Sequence, residues 1–229
     1  MTDIASYERN DDISTISLDD GKANVISPTM IAAVNRALDQ AEADGTVEIL
    51  AGRSRIFSAG FDLQVLGRLD DEAAGMLRGG FELAARILAF PAPVVVACTG
   101  HALAMGSFLL CAADYRVGAD GEYKIGANEV AIGLTMPLPA LAILRHRLSP
   151  ALHTRAIALA EIFTPTAACG AGFLDLVVTP ERVLEEARSV AERLAKLDRK
   201  AYVGTKNRMR SDAIDEIRSG IDADFPRRA

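Results

Sequence analysis

The stretch from Val94 to Asp114, VVVACTGHALAMGSFLLCAAD, constrains the fold of this chain more than any other. Val94 to Cys98 is a continuous apolar run rich in β-branched residues, bounded on its N-terminal side by Pro91 and Pro93. A run of that length and composition reads as a buried strand. Thr99-Gly100-His101 reads as a turn, and Ala102 to Ala113 follows without a charged residue. A bilayer takes about 20 apolar residues to cross, so this shorter run reads as a helix buried in a protein core. The junction between the two is built of small residues: Gly100, Ala102, Ala104, Gly106 and Ser107. Two readings of the junction stay open. The first amides of a helix lack intrahelical partners and carry the positive end of its dipole, so a developing negative charge fits there. Small residues also let a helix pack closely on its neighbours, with no ligand involved.

Around this centre, strand and helix signals alternate. Residues 4–9 and 13–19 read as a hairpin joined at Asn10-Asp11-Asp12. Ser27-Pro28 has the form of a helix start, with Ser as N-cap and Pro in the first turn. Ile31, Val34, Leu38 and Ala41 give that helix one apolar face, and Asp44-Gly45 stops it. Val47 to Ala51 is a further strand, residues 52–63 (GRSRIFSAGFDL) read as a loop, and Asp70-Asp71 caps a helix reaching about Ala89. Tyr115 to Ala119 and Leu174 to Val178 complete the strands. Ser149-Pro150, Thr164-Pro165 and Thr179-Pro180 each have the form of a helix start, and the last part of the chain reads as helical. The alternation predicts an α/β core with a helical C-terminal region.

Composition narrows the function. The formal charge is −6, from 25 basic and 31 acidic residues, which argues against nucleic acid as a partner. There is no apolar run of membrane-spanning length and no signal-peptide pattern, so the expectation is a cytoplasmic protein that does not engage a membrane. Cys98, Cys111 and Cys169 are odd in number and lie in apolar surroundings, which fits reduced core thiols. The three histidines, His101, His146 and His153, sit far from any cysteine cluster, so no metal site is expected. Neither a P-loop nor a GxGxxG after a strand is present.

Three segments carry the chemistry. Two are small-residue loops after apolar strands, Ser58-Ala59-Gly60-Phe61-Asp62 and Ala104-Met105-Gly106. The third holds Glu129, a lone acid between apolar residues in IGANEVAIG. A carboxylate in such surroundings has a raised pKa and can shuttle a proton. Taken alone, Glu129 reads first as a cap or ion-pair partner on a surface helix. The stretch Arg199 to Arg210, with Lys206 and Arg208, reads either as a contact for phosphate groups or as a solvated helix face.

Together, FSAGFDL at 57–63, GHALAMGSFLLCAADYR at 100–116 and KIGANEVAIG at 124–133 resemble, in order and spacing, the signature segments of the crotonase family of enoyl-CoA hydratases and isomerases. The resemblance covers residues 13 to about 210. It implies a ββα spiral core over residues 1–178 and a C-terminal helical trimerisation region over 179–229, in a homotrimer or hexamer. It implies acyl-CoA thioester substrates and no separate cofactor, coenzyme A being part of the substrate. In the family two backbone N–H groups hold the thioester oxygen as it becomes an enolate; the matching residues here are Phe61 and Met105. The first segment lines the coenzyme A pocket in the family, which implicates Ser58, Ala59, Gly60, Asp62 and Leu63, and Gly106 belongs to the second.

Hydratases of this family use two glutamates. The position matching the first is Phe108, which handles no proton, and the position matching the second is Glu129. One acid preceded by Asn128 resembles the enoyl-CoA isomerases, where a single glutamate moves a proton between carbons 2 and 4 and the asparagine contacts substrate. The expectation is therefore an isomerase. The alternatives are a hydratase working with Glu129 alone and a non-catalytic acyl-CoA-binding protein on the same fold.

Overall fold

The computed structural model describes residues 4–226. The chain opens with β1 (Ala5–Asn10) and β2 (Ile13–Leu18), an antiparallel hairpin closed across Asp11-Asp12. Helix α1 (Pro28–Asp44) follows, its first turn capped by Ser27, whose side chain accepts from Met30 N at 3.1 Å. Next come β3 (Val47–Ala51), β4 (Arg55–Ser58), the short α2 (Leu63–Leu66) and α3 (Asp71–Ala89), with Asp70 as its N-cap. The centre of the chain is β5 (Val94–Cys98), β6 (Gly100–Leu103), α4 (Met105–Ala112) and β7 (Tyr115–Ala119). The remainder is β8 (Ile125–Gly126), α5 (Leu138–Arg147), α6 (Pro165–Ala171), β9 (Leu176–Val178), α7 (Val183–Leu194) and α8 (Arg199–Asp224).

Two sheets result. The larger has the order β1-β2-β3-β5-β7-β9 and is parallel apart from the opening hairpin. Its central strands alternate side chains between two apolar layers. Val94, Val96 and Cys98 face the main core with α1, α3 and α4. Val95 and Ala97 face the other side, covered by Val183, Ala187, Val190 and Ala191 of α7. Burial on both faces is why β5 is apolar at every position. Helices α7 and α8 thus complete this chain's own core: α8 packs on α3 and α5, and its Ile214, Ile217 and Ile221 are buried there.

The second sheet, β4-β6-β8, is parallel and short. It corrects two expectations. Residues 52–63 are not all loop, because Arg55–Ser58 pairs as β4. The buried helix begins at Met105 rather than Ala102, because Gly100 to Leu103 pairs on both sides as β6 instead of forming a turn. The last strand also starts later, at Leu176. Thr164-Pro165 does open an α-helix, but Ser149-Pro150 and Thr179-Pro180 open single 3-10 turns; the second leads directly into α7.

The basic stretch is corrected on both counts at two positions. Lys206 and Arg210 are 5 % and 8 % exposed and turn inward. Lys206 Nζ donates to Ala92 O at 3.1 Å and to Asp114 at 2.8 Å; Arg210 donates to Leu88 O and pairs with Asp114 at 2.9 Å. These charges clamp α8 to the junction of α3 and β5. Burial without those partners would be costly, and here each has one. Cys98 and Cys111 lie in the core as expected, while Cys169 is half-buried on α6; all three are free thiols. Burial pushes the Cys98 and Cys111 thiols up to about 12 and about 11.

Candidate active site

The small sheet brings the three segments together. Its strands are parallel, with Ser58 beside Ala102 and Ala102 beside Ile125. Their C-terminal ends therefore open on one side, and each leads within a few residues to a candidate: Gly60 and Phe61 after β4, Met105 after β6, and Asn128 and Glu129 after β8. Loops at the carboxyl ends of parallel strands are a recurrent place for ligands.

The first loop is held from below. Asn24 is fully buried, and its amide donates to Leu18 O at 2.9 Å and Phe57 O at 3.1 Å. Ser58 is also fully buried; its hydroxyl donates to Asn24 O at 2.7 Å and accepts from Gly60 N at 3.2 Å. Ala59 N donates to Ala23 O and Ile26 N to Gly60 O. The Ser58 side chain is thus a brace for the loop backbone rather than a free substrate contact. Asp62 is similarly occupied, capping α2 by accepting from Gln64 N at 2.8 Å. Leu63, in contrast, is 69 % exposed. Asn24 was not singled out from the sequence; a lone Asn following an Asp-Gly turn is the signal that marks it.

The second loop turns sharply. Ala104, the residue before α4, has φ 48° and ψ −125°, a region that non-glycine residues rarely adopt. Its N–H donates to Gly126 O at 3.1 Å, tying the turn to β8. The strain lets β6 pass directly into α4, so that Met105 is the first helical residue and its N–H has no intrahelical partner. Gly60 lies against this turn with φ +97°; a Cβ there would be 2.8 Å from the Ala104 Cβ and 3.3 Å from Met105 N. A Cβ on Gly106 would meet Ser58 O at 2.5 Å. Glycine at both positions is what lets the two loop backbones come side by side.

Glu129 is 7 % exposed and sits at the head of a 3-10 turn, Val130–Ile132. Its Oε2 has no hydrogen-bond partner, and neither does Oδ1 of Asn128. Burial pushes the Glu129 carboxyl up to about 7. A carboxyl at that value exchanges its proton readily near neutrality. Phe108 is 1 % exposed and stacks on Phe81 of α3, with ring centroids 5.9 Å apart. The position matching a second acid is therefore apolar in its surroundings as well as in its side chain. His101 is satisfied structurally: Nδ1 accepts from Lys124 N at 2.9 Å and the ring meets Tyr123 edge-on.

The parallel strands of the small sheet thus bring two small-residue loops and one buried acid to the same side. The family model described as enoyl-CoA hydratase/isomerase matches residues 8–225, and the chain belongs to that family. It is 48 % identical to an Mtb enoyl-CoA isomerase solved in the apo state, covering 98 % of this chain and 100 % of that one, with a TM-score of 0.94. It is 47 % identical to an enoyl-CoA hydratase from Mycobacterium marinum, covering 97 % and 99 %, with a TM-score of 0.93. The mitochondrial enoyl-CoA delta isomerase 1 of Mus musculus is 29 % identical over 93 % of this chain and 75 % of its own length. The fold is the crotonase fold, and no helix among the described residues is long and apolar enough to cross a membrane. The relatives' names divide between isomerase and hydratase, so the reaction has to be argued from the site.

Proposed function

We propose that this protein is an enoyl-CoA isomerase that moves the double bond of a 3-enoyl-CoA to position 2 with Glu129 as its only proton carrier. The thioester carbonyl lies between the amides of Phe61 and Met105. Glu129 removes a proton from carbon 2, and the charge that develops on the thioester oxygen is held by the two N–H groups. The same carboxyl then returns the proton to carbon 4, and the double bond is conjugated with the thioester. Fixed donors at an oxyanion are worth about 3–4 kcal/mol each to the transition state. Asn128, with its unpartnered Oδ1, is the substrate contact beside the base.

The observation that carries this reading is the pairing of Glu129, one oxygen unpartnered, with Phe108 packed in a ring stack where a second acid would stand. Hydration asks for a group that activates water and a group that delivers a proton in step; Glu129 alone must do both. Incubating the protein with a 3-enoyl-CoA and with a 2-enoyl-CoA, and separating the products by chromatography, tests it. The expected result is 2-enoyl-CoA from the first and little 3-hydroxyacyl-CoA from the second. Dominant hydration selects the hydratase reading, and acyl-CoA binding without turnover selects the binding protein. The same family reading carries assembly into a homotrimer or hexamer, which sedimentation at micromolar concentration checks.

A further inference from the structure

The side chains of the two amide-bearing residues point the same way. A Cβ built on Gly80 of α3 would lie 2.4 Å from the Phe61 ring and 3.7 Å from the Met105 sulfur. Glycine at this point is what lets both side chains reach α3. The Phe61 ring then meets Phe81 edge-on at 5.9 Å, Phe81 stacks on Phe108 at 5.9 Å, and Phe225, just beyond α8, also stacks on Phe81, at 5.6 Å. Phe81 and Phe108 are 0 % and 1 % exposed. Rings at these separations are in contact and leave no gap for a methylene chain. Phe225 is held in place by Arg78, which donates to its carbonyl at 2.8 Å and pairs with Asp222 at 2.7 Å.

A thioester held by the two amides has two arms. The coenzyme A arm is polar and leaves toward solvent. The acyl arm is apolar and needs apolar surroundings, which on this side of the amides are the four rings. Beyond Phe225 lies a cavity of about 250 Å³ between α2 and α3, lined by Leu66, Ala73, Ala74, Leu77 and Phe225 among others. Ala74, Leu77 and Phe81 share one face of α3, so the cavity continues the line of the ring stack. Phe225 belongs to both.

We propose that the stack of Phe61, Phe81, Phe108 and Phe225 closes the acyl end of the site, so that the protein takes short-chain acyl-CoA substrates, and that Phe225 is the ring dividing the site from the cavity. The inference rests on the acyl-CoA reading above but not on which reaction follows. It is tested by calorimetric binding of butanoyl-CoA and decanoyl-CoA to the full chain, alongside kcat/KM for the matching enoyl thioesters. Wild type is expected to favour the short thioester by about tenfold or more, the scale set by misfit of a few methylenes in an apolar pocket. Phe225→Ala is expected to raise the decanoyl-to-butanoyl ratio by about tenfold or more. Ala74→Phe in that background refills the cavity and is expected to take the gain back, which mere loosening of the chain end would not produce. Phe225→Leu, with circular dichroism as the folding control, serves if the alanine variant does not fold, and its ratio is expected to rise by less.

Equal or tighter binding of decanoyl-CoA by wild type overturns the proposal. So does an unchanged ratio in folded Phe225→Ala or Phe225→Leu protein. Length-selective binding with no turnover of any enoyl-CoA supports the wall while removing the isomerase reading. Absence of binding to both thioesters removes both.

Discussion

Glu48 and Glu129 make an instructive pair. Each is a lone acid among apolar residues, in VEILA and in ANEVAI, and each is pushed up by burial, Glu48 to about 8 and Glu129 to about 7. Neither has an ion-pair partner among the described residues. Their surroundings differ. Glu48 is on β3 inside the main core, 0 % exposed, and both oxygens are used: Oε1 accepts from Ile16 N at 3.0 Å, and Oε2 bonds the Ser14 hydroxyl at 2.6 Å. Ser14 in turn shares a hydrogen bond with Thr46. Glu129 stands in a turn after a two-residue strand, at the mouth of the small sheet, with Oε2 unpartnered. Burial by itself raises a carboxyl; it does not make a base. A base needs an oxygen free of protein donors, and of the two acids only Glu129 has one.

The contrast can be broken most directly in turnover. Glu129→Gln keeps the shape and removes the base, so double-bond migration should fall by about 100-fold or more while acyl-CoA affinity changes little. Glu48→Gln should retain wild-type turnover. Steady-state kinetics on the two folded variants decides it, and the reverse outcome would mean that the roles are exchanged.

Acidity separates the two next, with opposite signs. Glu129 acts as a base only when ionised, so kcat/KM should climb about tenfold per pH unit toward a plateau above pH 7. Stability should move the other way. The Glu48 carboxyl is raised from an ordinary value of 4.5 to about 8, so the folded state holds a proton that the unfolded chain has released. Its stabilisation is fully present below pH 4.5 and is lost as pH rises through 8, at up to about 1.4 kcal/mol per unit within that window. Glu129 adds to the same decline up to about pH 7. Thermal melts of wild type and Glu48→Gln from pH 5 to pH 8.5 should diverge, with the variant losing less; parallel curves would refute a buried, neutral Glu48.

The smallest effect is expected from Ser14→Ala. It takes one donor from Glu48 and leaves a buried oxygen unsatisfied, at about 1–3 kcal/mol. In a chain of this size that lowers Tm by about 2–4 °C per kcal/mol. Scanning calorimetry reads the loss, and turnover by Glu129 should be untouched. A stability loss accompanied by an equal loss of rate would show that the two regions are coupled.

Much of the larger architecture is legible along the chain because local chemistry sets it. Ser27, Asp70 and Thr164 are read as caps from their own neighbourhood, and each side chain bonds an amide three residues on. Val94 to Cys98 is read as a buried strand because both its faces are apolar. The site segments are legible as motifs of small residues and one isolated acid. Strands β4, β6 and β8 are a different matter. They hold four, four and two residues, too few for a period to show, and β4 and β6 pair across more than forty positions of sequence. Glu48 carries the same local pattern as Glu129, a lone acid among apolar residues, and only the motif around Glu129 marks it out along the chain.

The sequence by itself determined the α/β class, the main helix starts, the buried central strand, the three segments and the lone acid among them, since each of these depends on residues within one or two turns of one another. Tertiary structure alone decided which way the charged groups face. Lys206 and Arg210 turn inward because Asp114, nearly a hundred residues earlier, offers them a carboxylate at the end of β5's neighbour helix α4. Glu48 is pushed up by burial in the core, and both its oxygens are occupied because β2 lays Ser14 and Ile16 beside it. Glu129 keeps an unpartnered oxygen in a turn set just beyond the C-terminal end of β8, the last strand of the small sheet. A charge's partner is fixed by proximity in space, and chain-distant proximity is what folding, and not local sequence, supplies.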